Sequence, residues 1–146
     1  MCGIIGYIGT KKAKPILING LLRLEYRGYD SAGIATIENN GIKIMKEKGR
    51  IANLEAMDGI NTLEGTIGIG HTRWATHGKP SATNSHPHYD NDNIFAVVHN
   101  GIIENYHELR KFLEENNYTF FSDTDTEVIP NSVSYTHLTL PTICSV

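Results

Sequence analysis

The sequence has 146 residues, of which 40% are hydrophobic and 20% charged, and its formal net charge is −3. This length corresponds to about one domain with a real hydrophobic core, and the lack of a basic block argues against a nucleic-acid-binding protein. No apolar stretch has the length or flanking charges of a signal peptide or a membrane span, so we expect a cytoplasmic protein without a membrane partner.

The first half of the chain predicts alternating strands and helices. Pro15 is tolerated in a first helical turn, and leucines follow it at helical spacing up to a stop at Gly28. Asn40-Gly41 lies between two apolar runs, which is a strong hairpin signal. The predicted elements are a strand at 3–9, a helix that ends at 28, strands at 32–38 and 42–46, a short helix at 51–57 and a strand at 66–72.

The second half begins with a polar segment, 75–93, that predicts a long surface loop. The continuous apolar run 94–98 predicts a strand buried on both faces. A helix is predicted by the apolar face of Ile102, Tyr106, Leu109 and Leu113, and a strand is predicted at 118–121.

The chain changes character after Ile129. Thr124 and Glu127 match a capping box, which predicts a further helix, but Pro130 would interrupt it. Serine and threonine crowd the following residues without an amphipathic period. We therefore expect residues 2–129 to be part of one α+β domain. Residues 130–146 are expected to be a disordered or artefactual tail, such as a frameshift or cloning junction would produce.

Cys2 is a candidate nucleophile because of its position. Most lone cysteines are small buried hydrophobes, but removal of Met1 would give Cys2 a free α-amine. That amine has a pKa of about 8 and the thiol a pKa of about 8.5, so proton transfer between them costs only about 1 kcal/mol. The amine can then act as the general base of a nucleophilic thiol.

The segment His71 to Gly78 follows a predicted strand and carries several candidate binding groups. Arg73 has the planar fork that grips a carboxylate, and Trp74 is able to cover a ligand. A surface arginine and a core tryptophan are the structural alternative. The pairs His71/His77 and His86/His88 suggest a metal, but no carboxylate or thiol lies beside them, and we expect no metal.

Two further segments have both structural and chemical interpretations. Asn100 and Gly101 are able to form an oxyanion hole from a side-chain amide and a backbone N–H, or simply a turn. Asp125 lies near a helix start, where a carboxylate caps the helix, but it is also able to bind a substrate ammonium.

These segments together resemble a known family. Cys2-Gly3-Ile4-Ile5-Gly6 resembles the start of the class II glutamine amidotransferases. Segments 24–33, 71–78, 98–105 and 124–127 resemble, more narrowly, the glutaminase domain of the glutamine–fructose-6-phosphate aminotransferases. Amidophosphoribosyltransferases share the leading cysteine but differ around Arg27-Gly28 and Trp74. The resemblance covers residues 1–129.

The resemblance implies a catalytic role for three residues and a supporting role for a fourth. Cys2 would be the nucleophile and its α-amine the base, and Cys2 would form a thioester as ammonia leaves L-glutamine. Asn100 and Gly101 would form the oxyanion hole. Arg27 would lie near the chain start and help to position it.

The resemblance also implies a glutamine pocket. Arg73 would hold the α-carboxylate of glutamine and Asp125 its α-ammonium. Thr76 and His77 would line the pocket, and Trp74 would lie in the loop that closes it. No metal or organic cofactor is expected.

The implied fold is the four-layer α/β/β/α sandwich of the N-terminal-nucleophile hydrolases, here incomplete. The resemblance also implies a full-length homodimeric enzyme, in which ammonia would pass to sugar isomerase domains that bind fructose 6-phosphate and make glucosamine 6-phosphate. Two alternatives stay open: another class II amidotransferase, similar to the amidophosphoribosyltransferases, or a truncated fragment without activity. Missing strands would leave sheet edges unpaired, so we expect the isolated chain to be poorly soluble or partly folded.

Overall fold

The computed structural model describes residues 1–74 and 79–143 of the chain, with side chains described up to residue 137. The strands are β1 Gly3–Ile8, β2 Ser31–Glu38, β3 Gly41–Lys48, β4 Ile67–Arg73, β5 His88–Tyr89 and β6 Ala96–Val97. The α-helices are α1 Ala13–Leu24, α2 Ile51–Glu55, α3 Tyr106–Glu115 and α4 Val128–Ile143, and short 3₁₀ turns occupy Glu25–Arg27, Ile60–Thr62 and Asp125–Glu127. Within the described ranges, no helix is long and apolar enough to cross a lipid bilayer.

Two antiparallel sheets organise the molecule. One has four strands in the order β1-β4-β2-β3, and the other pairs β5 with β6. The predicted hairpin is present: β2 and β3 pair from Ser31↔Lys48 to Glu38↔Gly41. Helices and antiparallel sheets in one unit confirm the predicted α+β class.

The elements stack in four layers. Helix α1 packs against β1 and β4, while α4 packs against β5, β6 and α3. The two sheets face each other across a cavity of about 250 Å³, lined by residues of β2, β4 and the segment around β6. The layer order is therefore helix, sheet, sheet, helix.

Close approach between α1 and β4 explains the glycines of the central strand. A Cβ at Gly68 would lie 2.8 Å from Cδ1 of Leu17 and 2.6 Å from the backbone oxygen of Ala35, and a Cβ at Gly70 would lie 3.1 Å from Cδ1 of Leu21. Leu17 and Leu21 are fully buried at this contact. The glycine-rich run therefore serves helix-on-sheet packing.

The expectation of an irregular segment after Ile129 is wrong for residues 130–143, which are helical. Helix α4 begins at Val128, so Pro130 lies in its first turn, where backbone N–H groups have no partner within the helix. Asn131 and Ser134 are fully buried, so the helix packs inward. The domain boundary at residue 129 stays a prediction.

The predicted capping box is also wrong. The side chain of Thr124 makes no cap hydrogen bond, and its Oγ1 lies 2.8 Å from Nε2 of His88 instead. The carboxylate of Glu127 accepts hydrogen bonds from the backbone N–H groups of Phe121 and Ser122.

Three further element predictions need correction. Residues 118–121 form no strand, because side chains rather than a neighbouring strand satisfy much of their backbone. In 94–98 only Ala96–Val97 is a strand, and it is half-buried rather than covered on both faces. Helix α3 begins at Tyr106, which leaves Ile102 before it and 61% exposed.

Candidate active site

The register of β1 and β4 positions Cys2. Gly3 pairs with Thr72, and its N–H donates to Oγ1 of Thr72 at 3.1 Å. Cys2 therefore lies beside the end of β4, where the N–H of Trp74 donates to its Sγ at 3.2 Å. Sγ of Cys2 also lies 3.6 Å from the backbone oxygen of Trp74, so the backbone of Trp74 fixes the position of the thiol.

Arg27 contacts Met1 at the start of the chain. The ammonium of Met1 donates to the backbone oxygen of Arg27 at 2.6 Å, and Nη2 of Arg27 lies 3.6 Å from Sδ of Met1. With Met1 present, the nitrogen of Cys2 is an amide and has no lone pair that accepts a proton. The proposed base therefore exists only after Met1 is removed.

Asn100 and Gly101 follow β6 and approach the start of β1. The side-chain Nδ2 of Asn100 donates to the backbone oxygen of Cys2 at 3.4 Å. Gly101 has a φ of +154°, and a Cβ there would lie 2.8 Å from Nε2 of His99. The loop conformation therefore requires glycine, which exposes the backbone next to Asn100.

Arg73 and Asp125 are charged and nearly fully buried, with exposed fractions of 4% and 5%. Arg73 ends β4, and Asp125 begins the 3₁₀ turn before α4. Oδ2 of Asp125 accepts a hydrogen bond from the N–H of Ile103 at 2.6 Å, which fixes the carboxylate. A buried guanidinium and a buried carboxylate that face one cavity suit the two charged groups of an amino acid.

These residues line a single cavity of about 550 Å³, large enough for a small polar substrate. Its walls are formed by Met1, Cys2, Arg27, Arg73, Trp74, His86, His99, Asn100, Gly101, Ile102, Thr124, Asp125 and Thr126. A larger cavity of about 760 Å³ lies elsewhere and includes Lys46, whose pKa is lowered to about 8 by burial. None of the predicted site residues that the structure describes lines that larger cavity.

Three histidines pack together beside the cavity, and one of them, His86, lines it. The rings of His71 and His86 stack with centroids 4.2 Å apart, and His88 meets His86 edge-on at 4.6 Å. Burial lowers the pKa of His71 to about 4 and is the main cause of the lowered pKa of His86 and His88. All three are therefore neutral at pH 7. Among the described side chains, no group of three or more potential ligands is arranged to hold a metal ion.

Two predicted pocket residues, Thr76 and His77, lie outside the described residues. The structure adds others that sequence reasoning did not assign to the site. Thr72 anchors Gly3, and Thr126 lies 3.2 Å from Nδ1 of His99 and lines the cavity. His71 and His99 belong to motifs that were singled out, but their contacts depend on long-range packing.

Comparisons with known proteins show the family of the chain. Residues 55–137 match the glutamine amidotransferase domain family. The chain is 66% identical over 135 residues to glutamine–fructose-6-phosphate aminotransferase (isomerizing) of Clostridium perfringens, which covers 92% of the chain and 22% of the relative. The corresponding enzyme of Bacteroides thetaiotaomicron is 53% identical over 140 residues, 95% of the chain and 23% of the relative. The chain thus spans about a fifth of the length of these curated relatives.

Solved structures are similar as well. Glutamine phosphoribosylpyrophosphate amidotransferase from B. subtilis, complexed with ADP and GMP, superposes with a TM-score of 0.75 at 28% identity. The match covers 92% of this chain and 29% of that one. This likeness confirms the α+β fold of the N-terminal-nucleophile type.

Proposed function

The chain belongs to the glutamine amidotransferase domain family, and we propose from this premise that it hydrolyses the side-chain amide of L-glutamine through Cys2. The observation that carries the proposal is the shared cavity. A thiol, a buried guanidinium, a buried carboxylate and an amide donor line one space of about 550 Å³. A thiol that attacks the primary amide of a free amino acid needs these groups to bind the substrate and to stabilise the reacting oxygen.

Binding uses the two charged groups of glutamine. Arg73 pairs with the α-carboxylate and Asp125 with the α-ammonium, which directs the side-chain amide towards Cys2. Trp74, 48% exposed with its ring edge-on to Tyr29, covers the bound substrate. Thr76 and His77 complete the pocket in this proposal.

Catalysis begins once Met1 is removed. The α-amine of Cys2 takes the thiol proton, and Sγ attacks the amide carbon of glutamine. The negative oxygen of the tetrahedral intermediate receives hydrogen bonds from Nδ2 of Asn100 and the N–H of Gly101. Loss of one such donor costs about 10²–10³ in rate.

Collapse of the intermediate breaks the carbon–nitrogen bond. The ammonium of Cys2 returns the proton to the departing nitrogen, which leaves as ammonia, and a glutamyl thioester remains. Water then attacks the thioester, giving glutamate and the regenerated thiol. No metal or organic cofactor enters this sequence.

The wider assignment is also a proposal. The relatives at 53–66% identity are glutamine–fructose-6-phosphate aminotransferases, whereas the amidophosphoribosyltransferase structure is 28% identical. We therefore assign the ammonia to fructose 6-phosphate, bound by sugar isomerase domains of a homodimeric cytoplasmic parent. A fragment without activity is the remaining alternative.

Stoichiometric product release tests the proposal. The Met1-free chain is expected to release glutamate and ammonia in equal amounts from glutamine. Cys2→Ala should abolish this release, while Cys144→Ala, which removes the other cysteine, should retain it. A folded, Met1-free chain without glutamine hydrolysis would support the inactive fragment instead.

A further inference from the structure

Asn100 is held by a buried histidine of the central strand. Nε2 of His71 lies 2.8 Å from Oδ1 of Asn100. His71 is 1% exposed within β4, whereas Asn100 is exposed in the loop that follows β6. The amide group of an asparagine rotates about a broad, nearly two-fold torsion. The rigid strand therefore provides the fixed point for an otherwise mobile side chain.

The direction of this hydrogen bond decides which end of the amide faces Cys2. Oδ1 of Asn100 only accepts hydrogen bonds, so Nε2 of His71 must carry the proton. Turning the amide over would bring its NH₂ group against the Nε2–H, two donors in contact. Nδ2 of Asn100 therefore faces the start of β1, as its 3.4 Å contact with the oxygen of Cys2 indicates.

The surroundings of His71 fit this tautomer. Nδ1 has no hydrogen-bond partner among the described residues, which costs less for a bare ring nitrogen than for a buried N–H. Burial lowers the pKa of His71, while Asn100 and the backbone of His99 raise it by hydrogen bonding. That raising effect is expected when a ring N–H donates towards carbonyl oxygens.

We propose that His71 is a positioning residue that fixes the side-chain amide of Asn100 with its NH₂ group towards the reacting carbonyl oxygen. The inference rests on the proposed function, since it gives Asn100 the oxyanion-stabilising role. His71 is not among the residues that line the cavity, and in this proposal it acts through Asn100.

Two substitutions separate hydrogen bonding from packing. His71→Phe keeps a flat ring without a donor, whereas His71→Gln supplies an N–H close to the position of Nε2. We expect His71→Phe to lower kcat about 10- to 100-fold with KM for glutamine nearly unchanged, because the loss falls on the transition state. His71→Gln should recover at least about tenfold of that loss. Equal kcat in both variants, or a change confined to KM, would overturn the role.

A double-mutant cycle tests whether His71 acts through Asn100. Asn100→Ala removes the donor, so adding His71→Phe to it should lower kcat little further. If the two substitutions lower kcat by factors that multiply in the double variant, His71 acts independently of Asn100 and the proposal fails. Circular dichroism of each variant identifies a rate loss that comes from unfolding.

A second readout does not depend on activity. Nitrogen-15 NMR of the histidine rings is expected to report the Nε2–H tautomer for His71, and an Nδ1–H tautomer would overturn the proposed orientation. A wild-type chain with this tautomer but no glutamine hydrolysis would refute the proposed function, and with it the role of His71. If the wild-type chain is active and kcat of His71→Phe equals that of wild type, the inference alone is refuted.

Discussion

The N–H of Trp74 donates a hydrogen bond to Sγ of Cys2 at 3.2 Å, between residues 72 positions apart in the sequence. The contact exists because β1 and β4 are antiparallel neighbours with Gly3 opposite Thr72. The donor is a backbone N–H, so the hydrogen bond to the thiol does not depend on the indole side chain. The side chain and the N–H of Trp74 therefore have separable roles.

Replacing Trp74 by alanine tests this separation. The backbone donor remains, so the rate of Cys2 alkylation by iodoacetamide at one fixed pH should be unchanged. KM for glutamine should rise about three- to tenfold, which corresponds to about 1 kcal/mol of lost apolar contact. Tyr26→Ala, at an 82% exposed aromatic that does not line the cavity, is the matched control and should change neither quantity. A changed alkylation rate in Trp74→Ala would contradict the separation.

Asp125→Asn tests the ammonium site. The carboxylate is buried and faces the cavity, so neutralising it should raise KM for glutamine at least about tenfold, or about 1.4 kcal/mol. The effect on kcat should be smaller, because the ammonium is bound equally in ground and transition states. Steady-state kinetics measures both parameters.

Asp123→Asn is the control for that substitution. Asp123 is exposed, pairs with Asn84 and does not line the cavity. Removal of its negative charge should leave KM for glutamine within about twofold of the wild-type value, as for most surface substitutions. Equal effects at positions 123 and 125 would argue against a specific ammonium site.

Gly101→Ala tests the oxyanion loop. The alanine would adopt an unfavourable φ of +154° and press on the ring of His99, so we expect about 1–3 kcal/mol of lost stability and a reduced kcat. Gly41→Ala is the matched control, because Gly41 has a φ of +110° with open space around it and does not line the cavity. Both variants should melt earlier, but only Gly101→Ala should lose activity below its melting temperature. Retained kcat in Gly101→Ala would exclude this loop from catalysis.

The buried histidines predict a loss of stability in mild acid. Their pKa values are lowered on folding, to about 4 for His71, so the unfolded chain binds more protons below pH 6.5. Each histidine therefore contributes stability that is present above about pH 6.5 and falls by up to about 1.4 kcal/mol per pH unit below it. Urea unfolding between pH 7.5 and 5 measures the slope.

His86→Asn should reduce the slope of stability against pH by the contribution of about one proton. Asparagine retains an acceptor near the position of Nδ1 but does not titrate. The exposed His107→Asn is the control and should leave the slope as it is in wild type. An unchanged slope in His86→Asn would mean that His86 is not held neutral in the folded chain.

The elements predicted correctly are those with local signals. The β2–β3 hairpin follows from Asn40-Gly41, and α1 from leucines at helical spacing. The wrong predictions involve non-local contacts. The backbone of Thr119 bonds to the side chain of Asn91 rather than to a strand, which no local pattern reveals. The sequence pattern predicts that Pro130 interrupts a helix that begins at residue 125, whereas the helix begins at Val128 and has Pro130 in its first turn.

The candidate site shows the same division. Cys2, Arg73, Asn100 and Asp125 were identified from residue type and motif, and the structure brings them to one cavity. The hydrogen-bond donor to the sulfur of Cys2 is set by the β1–β4 register. The side chain of Asn100 is held by a buried histidine. Neither can be read from a sequence in which the partners lie far apart.

The most direct test of the central claim is detection of the glutamyl thioester on Cys2. The Met1-free chain is mixed with glutamine, quenched in acid within the first turnovers and analysed by intact and peptide mass spectrometry. We predict an added glutamyl group on the N-terminal peptide. Hydroxylamine should remove this group, and the Cys2→Ser variant should form no thioester. Glutamine hydrolysis without modification of Cys2, or hydrolysis that persists in Cys2→Ala, would contradict the account.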